Sequence, residues 1–220
     1  NSDSAFEDVD FFNAAFDRTV SEYSVRYEET QGFSPRFVEF ARDLAKQWVD
    51  KYELAGRDVL EIGCNDAATL KRDNPGLGRY VGTDIDDDAL ARARALYPQR
   101  EFIKNNIENE SLGFHDEFDT VLLVALIEHI LNQRFLLDTC HEALRRGGRL
   151  VITTPTPFGN DIVHRNGARI GLFHKSVADH HVVIYDKRRL RAAAEMVGFR
   201  LAQHRYFQLG CNQLAVLEKV

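Results

Sequence analysis

The chain has 220 residues, 44% of them hydrophobic, which is enough to bury one sizeable core and fits one domain with additions. A net charge of -6 gives no electrostatic footprint for nucleic acid or an anionic membrane. Three widely spaced cysteines, Cys64, Cys140 and Cys211, with no CxxC pair, argue against a disulfide framework or a zinc site and for a reducing compartment. The acidic opening NSDSAFEDVDFF lacks the basic-then-apolar order of a signal peptide. No stretch approaches the roughly 18 apolar residues of a membrane span. These features predict a soluble, cytoplasmic protein. The basic runs Arg145-Arg146 and Lys187-Arg188-Arg189-Arg191 read as solvated helix faces.

In chain order, the first fifty-odd residues read as helical. Phe33, Phe37, Phe40, Ala41, Leu44 and Trp48 recur at helical spacing behind the start signal Ser34-Pro35. Residues 1–54 are therefore expected to form a helical cap. After Gly56 short apolar runs alternate with helical stretches. The runs are Asp58–Ile62, Tyr80–Thr83, Glu101–Ile103, Thr120–Ala125 and Leu150–Thr153; the stretches are Ala67–Arg72, Asp87–Tyr97 and Gln133–Leu144. Such alternation predicts βαβ units and a parallel sheet. Gly147-Gly148 is expected to stop the helix before the fifth strand. From Pro155 to about Asp179 the rhythm breaks; the segment is long for a loop, and such segments are usually functional or carry short helices. Leu190, Ala193, Ala194 and Val197 then form a helix stripe capped by Gly198. Two closing strands follow, near Arg200–Phe207 and Gln213–Glu218, and their short connection predicts an antiparallel pair. The expected fold is a Rossmann-like, doubly wound α/β domain over 55–220. Its seven-stranded sheet is mostly parallel with one antiparallel strand.

The sharpest signal is VLEIGCNDAATL, Val59 to Leu70, which reads as strand, tight turn and helix. A helix N-terminus there presents free N–H groups. Asp84 closes the next strand about 20 positions further on, the layout that grips a ribose diol. In open α/β sheets, ligands bind beyond the carboxyl ends of the strands, where both features fall. The turn Gly63-Cys64-Asn65-Asp66-Ala67-Ala68 does not fit the GxGxxG of a dinucleotide site, and no GxxxxGK[ST] phosphate loop occurs.

These motifs resemble those of the class I S-adenosylmethionine-dependent methyltransferases. Glu61 through Ala67 resembles their first motif, and Asp84-Ile85 their second. Phe102 through Ile107 resembles the third, with Asn106 where an acidic residue is usual. Phe118-Asp119 to Glu128-His129-Ile130 matches the fourth strand and its following turn, and Leu144 to Leu150 the fifth. The resemblance runs from about Tyr27 to the C-terminus. It implies S-adenosylmethionine as cofactor, with Asp84 on the ribose hydroxyls, Ile85 against adenine and Asn106 near the adenine amine. It places Glu61, Gly63, Cys64, Asn65, Ile107 and Val124 in the same site, and Tyr27 over the methionine end. Asn65 and Ala67 stand where the family has its second and third glycines. Asn enters the left-handed region more easily than most residues, so Asn65 is expected to keep the turn.

Methyl transfer from a sulfonium needs mainly a nucleophile held in line. An alcohol nucleophile gains from a general base, most often His. The candidates are His129, after the fourth strand, and His181 in Ala178 to Tyr185. The segment 155–185 resembles the substrate lid of small-molecule and sugar methyltransferases from polysaccharide and natural-product pathways. Asp179, His180 and His181 are adjacent rather than helically spaced, so no metal site is expected. The resulting expectation is methyl transfer to a small polar acceptor, by O-methylation of a sugar or natural product, with no nucleic-acid partner. Two alternatives stay open at this point. One is a non-catalytic cofactor-binding or partner module, motivated by the two missing glycines. The other is a nicotinamide oxidoreductase, disfavoured by the turn.

Overall fold

The computed structural model describes residues 54–65, 76–159 and 182–220. Nearly all of the expected N-terminal cap, with Tyr27, lies outside them. So do the stretch Ala67–Arg72 and residues 160–181 of the expected lid, with His181.

Seven strands form one sheet: β1 (Val59–Ile62), β2 (Tyr80–Asp84), β3 (Glu101–Lys104), β4 (Phe118–Val124), β5 (Leu144–Pro155), β6 (Phe199–Phe207) and β7 (Asn212–Lys219). Their spatial order is β3-β2-β1-β4-β5-β7-β6. The strands β3, β2, β1, β4 and β5 are parallel neighbours, and β7 runs antiparallel to both β5 and β6. β7 is thus the one reversed strand, and β6 ends at the same edge of the sheet as β5.

The parallel strands are apolar nearly throughout because both faces are covered. Successive residues point to opposite faces. Leu60, Ile62, Val121 and Leu123 join one buried cluster with Leu136, Leu137, Leu190 and Ala193. Val59, Leu122, Val151 and Val216 join another with Tyr80, Leu90 and Ala93. The first face is therefore packed by α2 (Gln133–Ala143) and α3 (Lys187–Met196), and the second by α1 (Asp87–Leu96). Each helix starts on a side-chain cap. Asp86 accepts from the N–H groups of Asp88 and Ala89, Asn132 from Phe135 and Asp186 from Arg189. Gly198 follows α3 at φ +85°, the left-handed stop expected of it.

Two expectations at the α2–β5 junction are corrected. The helix ends at Ala143, and Leu144 already pairs with Phe118 as the first residue of β5. Gly147-Gly148 is not a helix stop. It lies in an irregular stretch of β5, between the pairs Phe118↔Leu144 and Thr120↔Arg149, where the extra residues must loop out. Gly147 takes φ +76° there. Nor is Arg145 part of a helix face. It bridges Asp58 at 2.9 Å and Asp119 at 3.0 Å, and Asp58 also takes the backbone N–H of Arg79 at 2.9 Å. These contacts clasp the amino ends of the strands, and the opposite end of the sheet carries the site. Among the described residues no helix is long and apolar enough to cross a membrane.

Candidate active site

At the carboxyl end of β1 the chain turns sharply. Gly63 stands at φ +70° and Asn65 at φ +51°. A Cβ on Gly63 would meet Leu126 Cδ1 at 2.9 Å and force that side chain to shift, on top of the strain of its positive φ. Asn65 holds the left-handed conformation expected of it, so replacing the family's second glycine leaves the turn intact. Ala67 lies outside the described residues.

The turn is fixed to β2 by three backbone N–H groups. Gly63 and Cys64 donate to the carbonyl of Thr83 at 2.8 and 2.9 Å, and Asn65 donates to Asp84 Oδ2 at 2.8 Å. The other carboxylate oxygen of Asp84 accepts from the Asp86 N–H at 3.0 Å. An ionised carboxylate has about four acceptor sites, so Asp84 braces the turn and keeps capacity for ribose hydroxyls. Beside it Ile85 is 48% exposed, a large apolar side chain standing open where adenine is expected. A left-handed turn, a carboxylate and an open apolar flank fit an adenosyl group, and the fit rests on these residues alone.

The remaining expected residues fall around this centre in different ways. Glu61 is buried beneath the turn and accepts the Tyr80 hydroxyl. Cys64 is buried, with its thiol directed at the Asn65 carbonyl. Asn106 Oδ1 accepts from the Glu108 N–H at 3.2 Å. Its neighbour Asn105 is buried, with Oδ1 lacking a partner. Ile107 packs into the core cluster that also holds Ile62 and Ile127. Val124 ends β4, half-buried. His129 closes a single 3-10 turn, Ile127–His129, and is also half-buried.

The floor under the turn is tight. A Cβ on Gly82 would come within 2.8 Å of Cys64 Sγ and 2.9 Å of the Phe102 ring. Gly82→Ala is expected to cost about 1–3 kcal/mol and to displace the Cys64 segment. Urea unfolding checks the cost. Unchanged stability would show that the floor has slack.

Sequence reasoning passed over Glu128 in favour of its neighbour. Glu128 is 2% exposed, and its Oε2 has no hydrogen-bond partner. Burial pushes its carboxyl up to about 7. Its backbone carbonyl accepts from Val182 at 2.7 Å and from Val183 at 3.3 Å. The signal that could have found it is a lone acidic residue inside the apolar run Leu122–Ile130.

Both flanks of residues 160–181 are anchored at this same edge of the sheet. On one side the Thr156 hydroxyl donates to the Gly210 carbonyl at 2.6 Å and accepts from the Gly159 N–H at 2.9 Å. On the other, the Tyr185 hydroxyl donates to Gln133 Oε1, and Gln213 Nε2 donates to the Tyr185 carbonyl at 2.5 Å. Among the described residues no group of three His, Cys, Asp or Glu could hold a metal. Asp179, His180 and His181 lie outside them.

Comparison with known proteins agrees with this geometry. Residues 35–204 match the family described as "Methyltransferase domain". A probable S-adenosylmethionine-dependent methyltransferase of Mycolicibacterium smegmatis is 32% identical over 104 residues, covering 47% of this chain and 40% of that protein. The ubiquinone biosynthesis O-methyltransferase of Thiobacillus denitrificans is 29% identical over 117 residues, covering 50% of each. The chain thus spans about half the length of the curated relatives it matches. The structure of magnesium protoporphyrin IX methyltransferase from Synechocystis, with bound S-adenosylhomocysteine, shares the fold. Its TM-score is 0.63 at 15% identity, covering 83% of both chains.

Proposed function

The chain belongs to the methyltransferase-domain family, in its class I S-adenosylmethionine-dependent form, and from that premise we propose that it methylates a hydroxyl oxygen of a small polar acceptor. The observation that carries this reading is the Gly63–Asn65 turn locked to Asp84, beside the histidine-bearing turn after β4. S-adenosylmethionine, when bound, supplies an electrophilic methyl group on a sulfonium. In this reading Asp84 holds the ribose hydroxyls, Ile85 covers adenine, and Asn106 accepts from its amine. Glu61, Gly63, Cys64, Asn65, Ile107 and Val124 shape the rest of the pocket, and Tyr27 closes over the methionine end. His129, aided by His181, takes the proton that the acceptor hydroxyl gives up as its oxygen gains the methyl group.

The acceptor is a sugar or a natural product, held under a lid formed by residues 155–185 and a cap formed by residues 1–54. Likeness to an O-methyltransferase of ubiquinone biosynthesis supports oxygen as the methylated atom. The net charge of -6 favours a small molecule over nucleic acid, and a cytoplasmic setting suits the cofactor supply.

The test is a methyl-transfer screen with labelled S-adenosylmethionine against phenols, glycosides and nucleotide sugars. Transfer to a hydroxyl-bearing acceptor is expected. His129→Ala should then lower turnover by about 10²–10⁴-fold, the range of a lost general base. Full turnover in both His129→Ala and His181→Ala would remove the base assignment.

A further inference from the structure

We propose that Arg205 is the anion-recognition residue of the acceptor site, pairing with a carboxylate or phosphate group on the molecule to be methylated. The proposal rests on the methyl-transfer reading above and specifies its acceptor.

Arg205 sits near the end of β6, and its Nε and Nη2 are shut away from solvent without a hydrogen-bond partner. These two nitrogens share one edge of the planar guanidinium, the edge that makes paired hydrogen bonds to a carboxylate or phosphate. Arginine keeps its charge. The residue as a whole is half-buried, but two of its N–H donors are closed off without partners, an unfavourable arrangement that an anion on that edge would complete. Three other described cations have carboxylate partners. Arg79 meets Glu101 and Glu117, Arg145 meets Asp58 and Asp119, and Lys219 meets Asp116.

Register places Arg205 on the functional edge of the sheet. It pairs with Leu214, Leu214 pairs with Thr153, and Thr153 pairs with Val124. Cross-strand partners share a face. Arg205 therefore stands on the same face and transverse row as Val124. The two strands are three spacings apart, about 14 Å. That distance, less the reach of the arginine side chain, is the span of a small acceptor. A bulge sets this orientation. Leu201 pairs with Leu217, but the register then shifts so that Gln203 pairs with Val216. Without that extra residue, strict alternation would put Arg205 on the opposite face. Bulges that re-aim a side chain are common next to active sites.

The test uses the full chain with S-adenosylhomocysteine present. Binding of 4-hydroxybenzoate and of glucose 6-phosphate is measured by calorimetry against the uncharged counterparts, phenol and glucose. The wild type is expected to prefer at least one charged probe by about tenfold or more. Whichever pair shows the preference tells a carboxylate from a phosphate. Arg205→Ala and Arg205→Met should abolish the preference while keeping S-adenosylhomocysteine affinity, and Arg205→Lys, which keeps charge without the fork, should retain part of it. Arg205→Met also removes two closed-off donors that lack partners, so its melting temperature without anion should match or exceed that of the wild type.

A wild type without charge preference, or a preference that survives in both neutral variants, overturns the proposal. A marked fall in the melting temperature of Arg205→Met does the same, because it marks the guanidinium as a structural brace. The cofactor arm keeps the two readings apart. Failure of the wild type to bind S-adenosylhomocysteine removes the methyltransferase reading itself. Normal cofactor binding without charge preference removes only the role of Arg205.

Discussion

Asp84→Ala is expected to weaken S-adenosylhomocysteine binding by about 10- to 100-fold, because in the proposed site one carboxylate serves both the ligand and the loop that holds it. The Asn65 N–H donates to one oxygen at 2.8 Å and the Asp86 N–H to the other at 3.0 Å. Hydrogen bonds to a charged group are worth about 1.5–3 kcal/mol each, and a ribose hydroxyl adds another when the cofactor binds. Removing the carboxylate therefore loses a ligand contact and frees the left-handed turn at Asn65 to relax. Asp84→Asn separates the two effects. It keeps the shape and one acceptor oxygen, but it sets an amide N–H against one of the two backbone donors. An affinity between those of wild type and Asp84→Ala is the expected result. Unchanged affinity in Asp84→Ala would show that the ribose does not sit there.

Glu128 governs the second large effect, which is on stability. Its carboxyl is pushed up by burial from an ordinary value of 4.5 to about 7. Between those values the folded protein holds a proton that the unfolded chain has already released. Stability contributed by this group is thus full below about pH 4.5, falls as pH rises towards 7, and is level above that, a loss of about 3 kcal/mol in all. His141 acts in the opposite sense, since burial pushes its imidazole below 6.5 and its contribution grows as pH rises towards that value. Comparing a Glu128 variant with the wild type at each pH cancels the His141 term. Glu128→Gln stays neutral and nearly isosteric, so it should be more stable than the wild type at pH 8 by up to about 3 kcal/mol and close to it at pH 5. Urea unfolding of both proteins at the two pH values checks this. Parallel pH dependence in the two proteins would contradict a proton held at Glu128.

The parallel half of the sheet was legible because its strands are short apolar runs bounded by turn residues. Leu60 and Val121 can point one way and Val59 and Leu122 the other only if both faces are covered. The left-handed turn at Gly63 and Asn65 was legible because positive φ limits which residues fit, whereas the bond from the Asn65 N–H to Asp84 is seen only in the structure. The α2–β5 junction was misread. Gly147 signals a positive φ, but that conformation serves a strand irregularity as well as a helix end, and only the pairing of Leu144 with Phe118 distinguishes them. Glu128 was missed because local sequence shows a carboxylate next to a histidine and does not show which is buried. Arg205 was invisible for a related reason. The register shift after Leu201 decides the face it occupies, and no residue type announces that shift.

The central claim is that the Gly63–Asn65 turn and Asp84 form an adenosyl site for S-adenosylmethionine. Titration calorimetry of the wild type with S-adenosylmethionine and S-adenosylhomocysteine tests it most directly. Saturable one-to-one binding of both, and none of NADH, is the expected result. Absence of heat with both sulfur ligands, or binding of NADH in their place, would contradict it.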